Sequence, residues 1–425
     1  MTDVPVGERP QLAPPVLETG ALGWMRKNLF SSWGNGITTV VLALLMAWIL
    51  AGFLNWAVLT AVWTGETGQA CRGHGACWAL IHEKYRYIFF GSFPYEQHWR
   101  PLFAVITMLA MLVLSSDRRM WNARLIWIWA IGTFVTFLLM FGQIHIPLGL
   151  ILFVALAVGG LGWILRSVLA SPMELNGWRV LTAISGIALV LRFANILPAW
   201  SLVIAPLSYV ETGLWGGIPV TIILATYGLA FAFPYGVLLA LGRRSHLPLI
   251  KGLCVGFIEL IRGVPLISLL IMASVMLPLF LPSGTTSDQF LRAQVAVILF
   301  AGAYIAEIIR GGLQSLPKGQ FEAADAMGLN YPQKTMLIIL PQAIRVVIPP
   351  LINTFIGFFK DTSLVLIIGI FDFLNTANQA LVDPNWAGFP GEVYLFAAFV
   401  YFCFCFSMSR YSKYLEVELN KGTRR

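Results

Sequence analysis

The chain has 425 residues, of which 58% are hydrophobic and only 11% charged. A water-facing surface takes roughly a quarter charged residues, so lipid is the solvent for most of this chain, and a secreted enzyme, a disordered tail and a nucleic-acid module are excluded. The net charge of +8 sits in short segments between apolar runs and not on one face of a domain.

Crossing a bilayer takes about 20 apolar residues whose backbone polar groups are satisfied within the segment. About ten runs meet that need, at residues 37–62, 101–116, 125–141, 148–165, 180–197, 215–241, 264–281, 293–309, 346–371 and 394–409. The second is short and the fifth carries Arg192, for which snorkelling to the interface is expected. No charge falls between Arg124 and Arg166, which predicts two crossings joined by a turn at Gln143, Ile144, His145, Ile146 and Pro147. The expected fold is an all-α integral membrane protein. The first run is too long for a signal-peptide core and follows a polar, Pro-rich segment, so it is expected to stay. No short repeat of the stacked-repeat kind is visible.

Cytoplasmic loops retain Lys and Arg. With the amino terminus inside, that side collects Arg26, Lys27, Arg118, Arg119, Arg124, Arg243, Arg244, Lys251, Arg262, Arg310, Lys318, Lys334, Arg345, Arg410 and Lys413, among others. The other side holds only Arg72, Lys84, Arg86, Arg100, Arg192 and Arg292. Both termini are therefore expected in the cytoplasm, with a tail at 1–36, a membrane extension at 37–212, an outward loop at 63–100, a second membrane region at 213–419, a cytoplasmic loop at 315–341 and a tail at 410–425.

The outward loop carries Cys71, His74 and Cys77. A disulfide, a free pair and metal binding are three readings, the last short of a fourth ligand for tetrahedral zinc. The aromatic run from Tyr85 to Tyr95 reads as interfacial packing, and Cys254, Cys403 and Cys405 as packing residues in apolar surroundings.

The loop at 315–341 is patterned. Ser315 suits a cap, Pro317 an early helical position and Gly328 a left-handed exit. Asn330 and Pro332 then open a second helix, expected to end near Leu340 because Pro341 cannot continue the ladder. The plain reading is an amphipathic connector lying on the membrane. Small Ala323, Ala324 and Ala326 beside Glu322 and Asp325 also suit close approach by another protein. Glu322, Ala323, Ala324, Gly328 and the ending Ile338, Ile339, Leu340, Pro341 resemble the EAA loop of ABC-transporter permeases, whose short coupling helix docks in a cleft of the ATPase. The resemblance implies ATPase-coupling roles for Glu322, Ala323, Ala324, Asp325, Gly328, Leu340 and Pro341.

Three further stretches narrow the resemblance to polar amino-acid uptake permeases with a MetI-like core in the C-terminal half: Glu259 to Pro265, Ala303 to Gly312, and Phe359 to Leu364. The extended amino-terminal half is similar to general L-amino acid permease subunits of the AapM and BztC type. Such a resemblance implies an importer in the bacterial inner membrane, working with an ATP-binding subunit dimer, a second related permease subunit in a heterodimer, and a periplasmic amino-acid-binding protein. The chain has no Gly-Lys dipeptide, hence no phosphate-binding loop of the Gly-x4-Gly-Lys-Ser/Thr type. No catalytic group, metal site or bound cofactor is expected on this chain, and ATP and magnesium fall to the partner.

Glu259 and Arg262, three apart, can pair on one helix face, bracing a bend at Gly263, Val264 and Pro265; a substrate contact is the alternative. Glu307 and Arg310 have the same spacing. Lys360 and Asp361 interrupt an apolar run, and intramembrane charge costs at least about 2.5 kcal/mol on insertion scales. With Asn353, Thr362 and Ser363 they form either a polar patch along a substrate path or a structural network. The function in another class is a self-contained ion-coupled amino-acid carrier, which commonly shows repeated halves and midplane acidic residues. A purely structural membrane subunit gives no reason for so patterned a loop.

Overall fold

A computed structural model describes residues 20–120, 123–147, 152, 155, 156, 159, 160, 175–193, 201–204, 206–280 and 287–420. The chain divides into two compact units, Met1–His82 and Glu83–Arg425.

The first unit contains α1 (Gly20–Asn28) and α2 (Trp33–Leu54), the latter prolonged by a π turn at Asn55–Leu59. Ser32 caps α2, its hydroxyl accepting the Asn35 N–H at 3.2 Å, which satisfies one of the donors a helix start leaves free. No residue of α2 is buried, and apolar side chains stand on every side of it, as on a helix whose solvent is hydrocarbon. Beyond it the chain folds back. Ala76 N–H donates to the Trp56 carbonyl at 2.8 Å and the Trp78 indole to Ala57 at 2.7 Å. A Cβ on Gly75 would lie 2.3 Å from the Thr60 hydroxyl, so glycine is required there. Cys71 and Cys77 are disulfide-bonded across 5.4 Å between Cα atoms. Helix α3 (Trp78–Phe90) follows.

The second unit holds α4 (Trp99–Ser116), α5 (Ala123–Phe141), β1 (Ile144–Pro147), α6 (Leu175–Phe193) and β2 (Ser201–Ile204). It continues through α7 (Gly217–Arg243), α8 (Pro248–Arg262) and α9 (Leu266–Phe280) to α10 (Gln289–Ser315). Then come α11 (Lys318–Ala326), α12 (Tyr331–Ile368), α13 (Phe373–Gln379) and α14 (Pro390–Asn420). Among the described residues seven helices are long and apolar enough to cross a bilayer, or eight if α8 and α9, bent by 106° from one another, count as one span. Of the expected ten, 148–165 lies mostly outside the described residues. In α6 the apolar stretch among the described side chains is Thr182–Leu191, so the run at 180–197 is described only in part, and the Arg192 side chain lies outside the description.

Two expectations are corrected. The segment expected as a helical-hairpin turn after α5 is the strand β1, paired antiparallel with β2 from Ile144 opposite Ile204 to Pro147 opposite Ser201; β-branched Ile144 and Ile146 suit that pairing. The helix opened by Asn330 does not end at Leu340. It runs on to Ile368 because a π turn at Lys334–Ile339 loosens the ladder first, leaving Pro341 at the start of the next α segment where its missing N–H costs little.

The core is the pairing of α7 with α10, made close by small residues. Gly236 sits where a Cβ would lie 2.9 Å from the Gly302 carbonyl, and one on Gly302 would lie 2.5 Å from the Tyr235 ring. In lipid, where apolar faces gain little by leaving the solvent, such backbone approach is what holds helices together. Gly312 extends the contact to α12, a Cβ there falling 2.8 Å from the Ala343 carbonyl. Helix α5 joins by rings, Phe137 lying 5.3 Å from Tyr227 and Phe141 4.5 Å from Trp215. Buried Arg100 donates to the Leu139 carbonyl at 2.7 Å and to Ser208 at 3.0 Å, satisfying an end of α5.

Gly302→Val is expected to destabilise the protein by about 1–3 kcal/mol through overpacking against Tyr235, read as a lower Tm in detergent. Gly252→Ala, whose Cβ meets open space, is expected to hold or raise it.

Candidate functional site

Helix α10 ends at Ser315, whose hydroxyl donates to the Gly312 carbonyl at 2.8 Å. It therefore closes α10 instead of capping α11, where Pro317 holds the N-cap position. Gly328 has φ of +72° and passes its N–H to the Asp325 carbonyl, the left-handed turn that glycine takes without strain. Asn330 and Gln333 then form a reciprocal capping box that starts α12. A nine-residue helix is thus held as an elbow between two long spans.

The elbow has two faces. Ala324 is 1% exposed and packs inward, where Thr335, Ile339 and Leu340 are also buried. Of the residues given coupling roles by the resemblance, Ala324 and Leu340 are thus buried within this chain. Glu322, Ala323, Asp325, Ala326, Gly328 and Pro341 are exposed, with Met327 76% exposed beside them. Lys334 bonds Asp325 at 2.5 Å, Gln342 bonds Gln320 at 3.0 Å, and the Arg244 guanidinium lies 5.5 Å from the centre of the Phe321 ring.

At the same end of the core lies a charge cluster. Glu259 and Arg262 do not pair with each other. Because α7 and α10 pass close to α8, Glu259 meets Arg243 at 2.9 Å, and Arg262 approaches Glu307 at 3.9 Å. Glu307 also takes Arg243 at 3.4 Å and is bonded to Arg310. One carboxylate thus serves three guanidiniums from α7, α8 and α10, and Arg262 rests over Tyr304 at 5.5 Å.

Lys360 and Asp361 lie in the last part of α12, where it tightens into the 3-10 segment Thr362–Ile368. Asn353 and Lys360, seven apart and so on one face, are exposed, as is Asp361. Thr362 is turned inward, its hydroxyl on the Phe359 carbonyl at 2.9 Å. The Ser363 carbonyl accepts from the Asn375 side chain at 2.9 Å.

Asn375 leads to a polar knot that sequence reasoning missed. Asp372, 0% exposed, caps α13 through the Asn375 N–H at 3.1 Å and accepts from the Tyr401 hydroxyl at 2.9 Å. Thr221 on α7 accepts the Phe373 N–H at 2.9 Å, and the Thr376 hydroxyl donates to Ile88 of α3 at 2.8 Å. Lys84 bonds Asp383 at 2.6 Å and holds its carboxyl below the ordinary range. The spacing of Asp372 and Asn375 was a readable cap signal; the partner Tyr401, far along the chain, carried none. Among the described residues no three His, Cys, Asp or Glu side chains converge as a metal would require.

Residues 232–421 match the family described as the binding-protein-dependent transport system inner membrane component. The chain is 43% identical over 408 residues, 95% of its length and 94% of the relative's, to the inner membrane amino-acid ABC transporter permease protein YhdY of Escherichia coli K12. It is 38% identical over the full length of both chains to the glutamate/glutamine/aspartate/asparagine transport system permease protein BztC of Rhodobacter capsulatus. A solved amino acid ABC transporter with histidines is 29% identical, covering 48% of this chain and 92% of that one at a TM-score of 0.42.

Burial raises the Asp372 carboxyl above its ordinary range, against the opposing hydrogen bonds from Tyr401 and Asn375. An acid raised in the folded state contributes less stability as pH climbs from its unfolded to its folded value. The Tm of the natural protein is therefore expected to fall relative to Asp372→Asn as pH rises above about 4; a pH-independent gap between the two melting curves removes this assignment.

Proposed function

The chain belongs to the amino-acid ABC transporter permeases, multi-pass proteins of the inner membrane, and from that premise we propose that it imports L-amino acids using the stroke of a separate ATPase. A periplasmic binding protein delivers the substrate, an ATP-binding subunit dimer holds ATP and magnesium, and a second, related permease subunit completes the path as a heterodimer. The observation that carries this reading is the elbow: α11 is fixed from below by buried Ala324, while Glu322, Ala323, Ala326 and Met327 stay uncovered. A short rigid helix with small residues outward suits a cleft in a partner, which then moves α10 and α12 by pushing one handle.

Orientation follows from charge. Lys318 lies on the elbow, Lys334 and Arg244 touch it and Arg243, Arg262 and Arg310 form the cluster at the same end, which favours its placement in the cytoplasm, with both termini on that side and the Cys71–Cys77 loop outside. Asn353, Lys360 and Asp361 are exposed among the described residues, so a second permease subunit laid over them encloses a polar path suited to the zwitterion of an amino acid. Ser363 continues that path at the 3-10 turn, whereas buried Thr362 is turned away from it.

Purification of the intact complex is expected to bring down an ATP-binding subunit. Glu322→Ala or Gly328→Val is expected to raise the ATP hydrolysed per amino acid imported, the second by forcing a side chain into a left-handed turn that costs it about 1 kcal/mol or more. Unchanged ratios for both variants, or a purified complex that holds no ATP-binding subunit, sink the coupling role.

Lys360→Ala is expected to lower uptake about tenfold, the worth of one hydrogen bond to a charged group, while the complex still assembles. Loss of assembly with normal transport in the remaining complexes assigns Lys360 to subunit packing.

A further inference from the structure

Besides the packing of Ala324, three described side-chain contacts hold the elbow, and two of them belong to the helix that follows it: Asp325 is bonded to Lys334 and Gln320 to Gln342, both in α12. The third comes from a different part of the chain. Arg244, immediately after α7, places its guanidinium carbon 5.5 Å from the centre of the Phe321 ring. It also donates from Nη1 to the Leu313 carbonyl at 3.3 Å. That carbonyl is among the last four of α10, which have no partner inside the helix. One side chain thus grips the end of α10 and the ring of the elbow together.

Its neighbour Arg243 faces the other way, into the charge cluster, meeting Glu259 of α8 at 2.9 Å and Glu307 of α10 at 3.4 Å. Two adjacent arginines at the end of α7 therefore touch the elbow and the cluster in turn. Backbone continuity compels α10 and α12 to follow any displacement of α11. Helix α7 has no such continuity with the elbow, and its described link to it is Arg244 on Phe321.

Resting on the reading of the elbow as the ATPase handle, we propose that Arg244 is the positioning residue that makes α7 move with the elbow. The cation over the Phe321 face transmits displacement of α11 to the end of α7, and Arg243 passes it to Glu259 and Glu307. Without the contact, the end of α7 that carries Arg243 falls out of step with the elbow although the body of α7 stays packed on α10, the charge cluster no longer follows α11, and strokes are spent without import. A residue that merely capped α10 would affect stability and leave the cost of transport alone.

The test uses the complete transporter in proteoliposomes with its ATPase and binding protein, and reads ATP hydrolysed per amino acid imported. Arg244→Ala and Phe321→Ala are each expected to raise that ratio about threefold, the fold-change matching a cation–π contact at a partly exposed site. The double variant is expected to go no further than either alone. Phe321→Trp keeps a ring face for the cation and is expected to stay near the natural ratio. Phe321→Leu keeps an apolar side chain without one, and is expected to raise the ratio with no loss of Tm, so poor folding of an alanine variant does not decide the matter. Ratios unchanged in Arg244→Ala and Phe321→Leu overturn the proposal. Glu322→Ala measured alongside separates the two levels: a ratio moved by Glu322 but not by Arg244 removes this inference alone, whereas a ratio moved by neither removes the reading beneath it as well.

Discussion

The backbone approach of α7 and α10 is the constraint on which the rest of the second unit depends. Hydrocarbon offers helices little reason to associate through bulky apolar side chains, so contact must come from surfaces with nothing in the way. Gly236 faces Gly302, Gly228 lies against Val297, and Gly312 carries the same relation to α12. This spacing sets where Arg243 emerges relative to Glu307, and therefore where the charge cluster forms. It also fixes Thr221 on α7 opposite Phe373, to which the polar knot at the other end is bonded. Both polar clusters are placed by glycines that themselves carry no chemistry.

Much of this was legible. Long charge-free runs marked the helices of the core, because lipid imposes length and composition on each span separately. The elbow announced itself through Gly328 and Pro317, since helix ends are local events. Partner choice was harder. Glu259 and Arg262 satisfied the three-residue spacing, yet α8 turns away from α9 and brings each of them to a different helix, where Arg243 and Glu307 compete successfully. Ala324 looked outward because its small side chain suits a docking surface; it faces inward because the same smallness lets α11 settle on the π turn of α12. Pro341 looked like a terminator because a proline normally breaks the ladder, and only the preceding π turn removes that penalty.

The two polar clusters differ in kind. The one near the elbow is built from five charged side chains of α7, α8 and α10, partly accessible and with more guanidiniums than carboxylates. Charges shared among several partners can be re-paired at small cost, which suits elements that must shift against each other. The other is built around one buried carboxyl with fixed donors from Tyr401 and Asn375, and breaking it strands a polar group in an apolar setting. The permease region thus joins a forgiving end to an unforgiving one. Between them run α7 and α10, and the 3-10 turn with Thr362 and Ser363 hangs from the unforgiving end through Asn375.

Helix α2 with its π turn covers 27 residues, none of its apolar window buried. At 1.5 Å per residue that is about 40 Å, against about 30 Å of acyl chain. The surplus length is absorbed by leaning, to a degree set by how thick the surrounding bilayer is. Acyl-chain composition is read there as geometry.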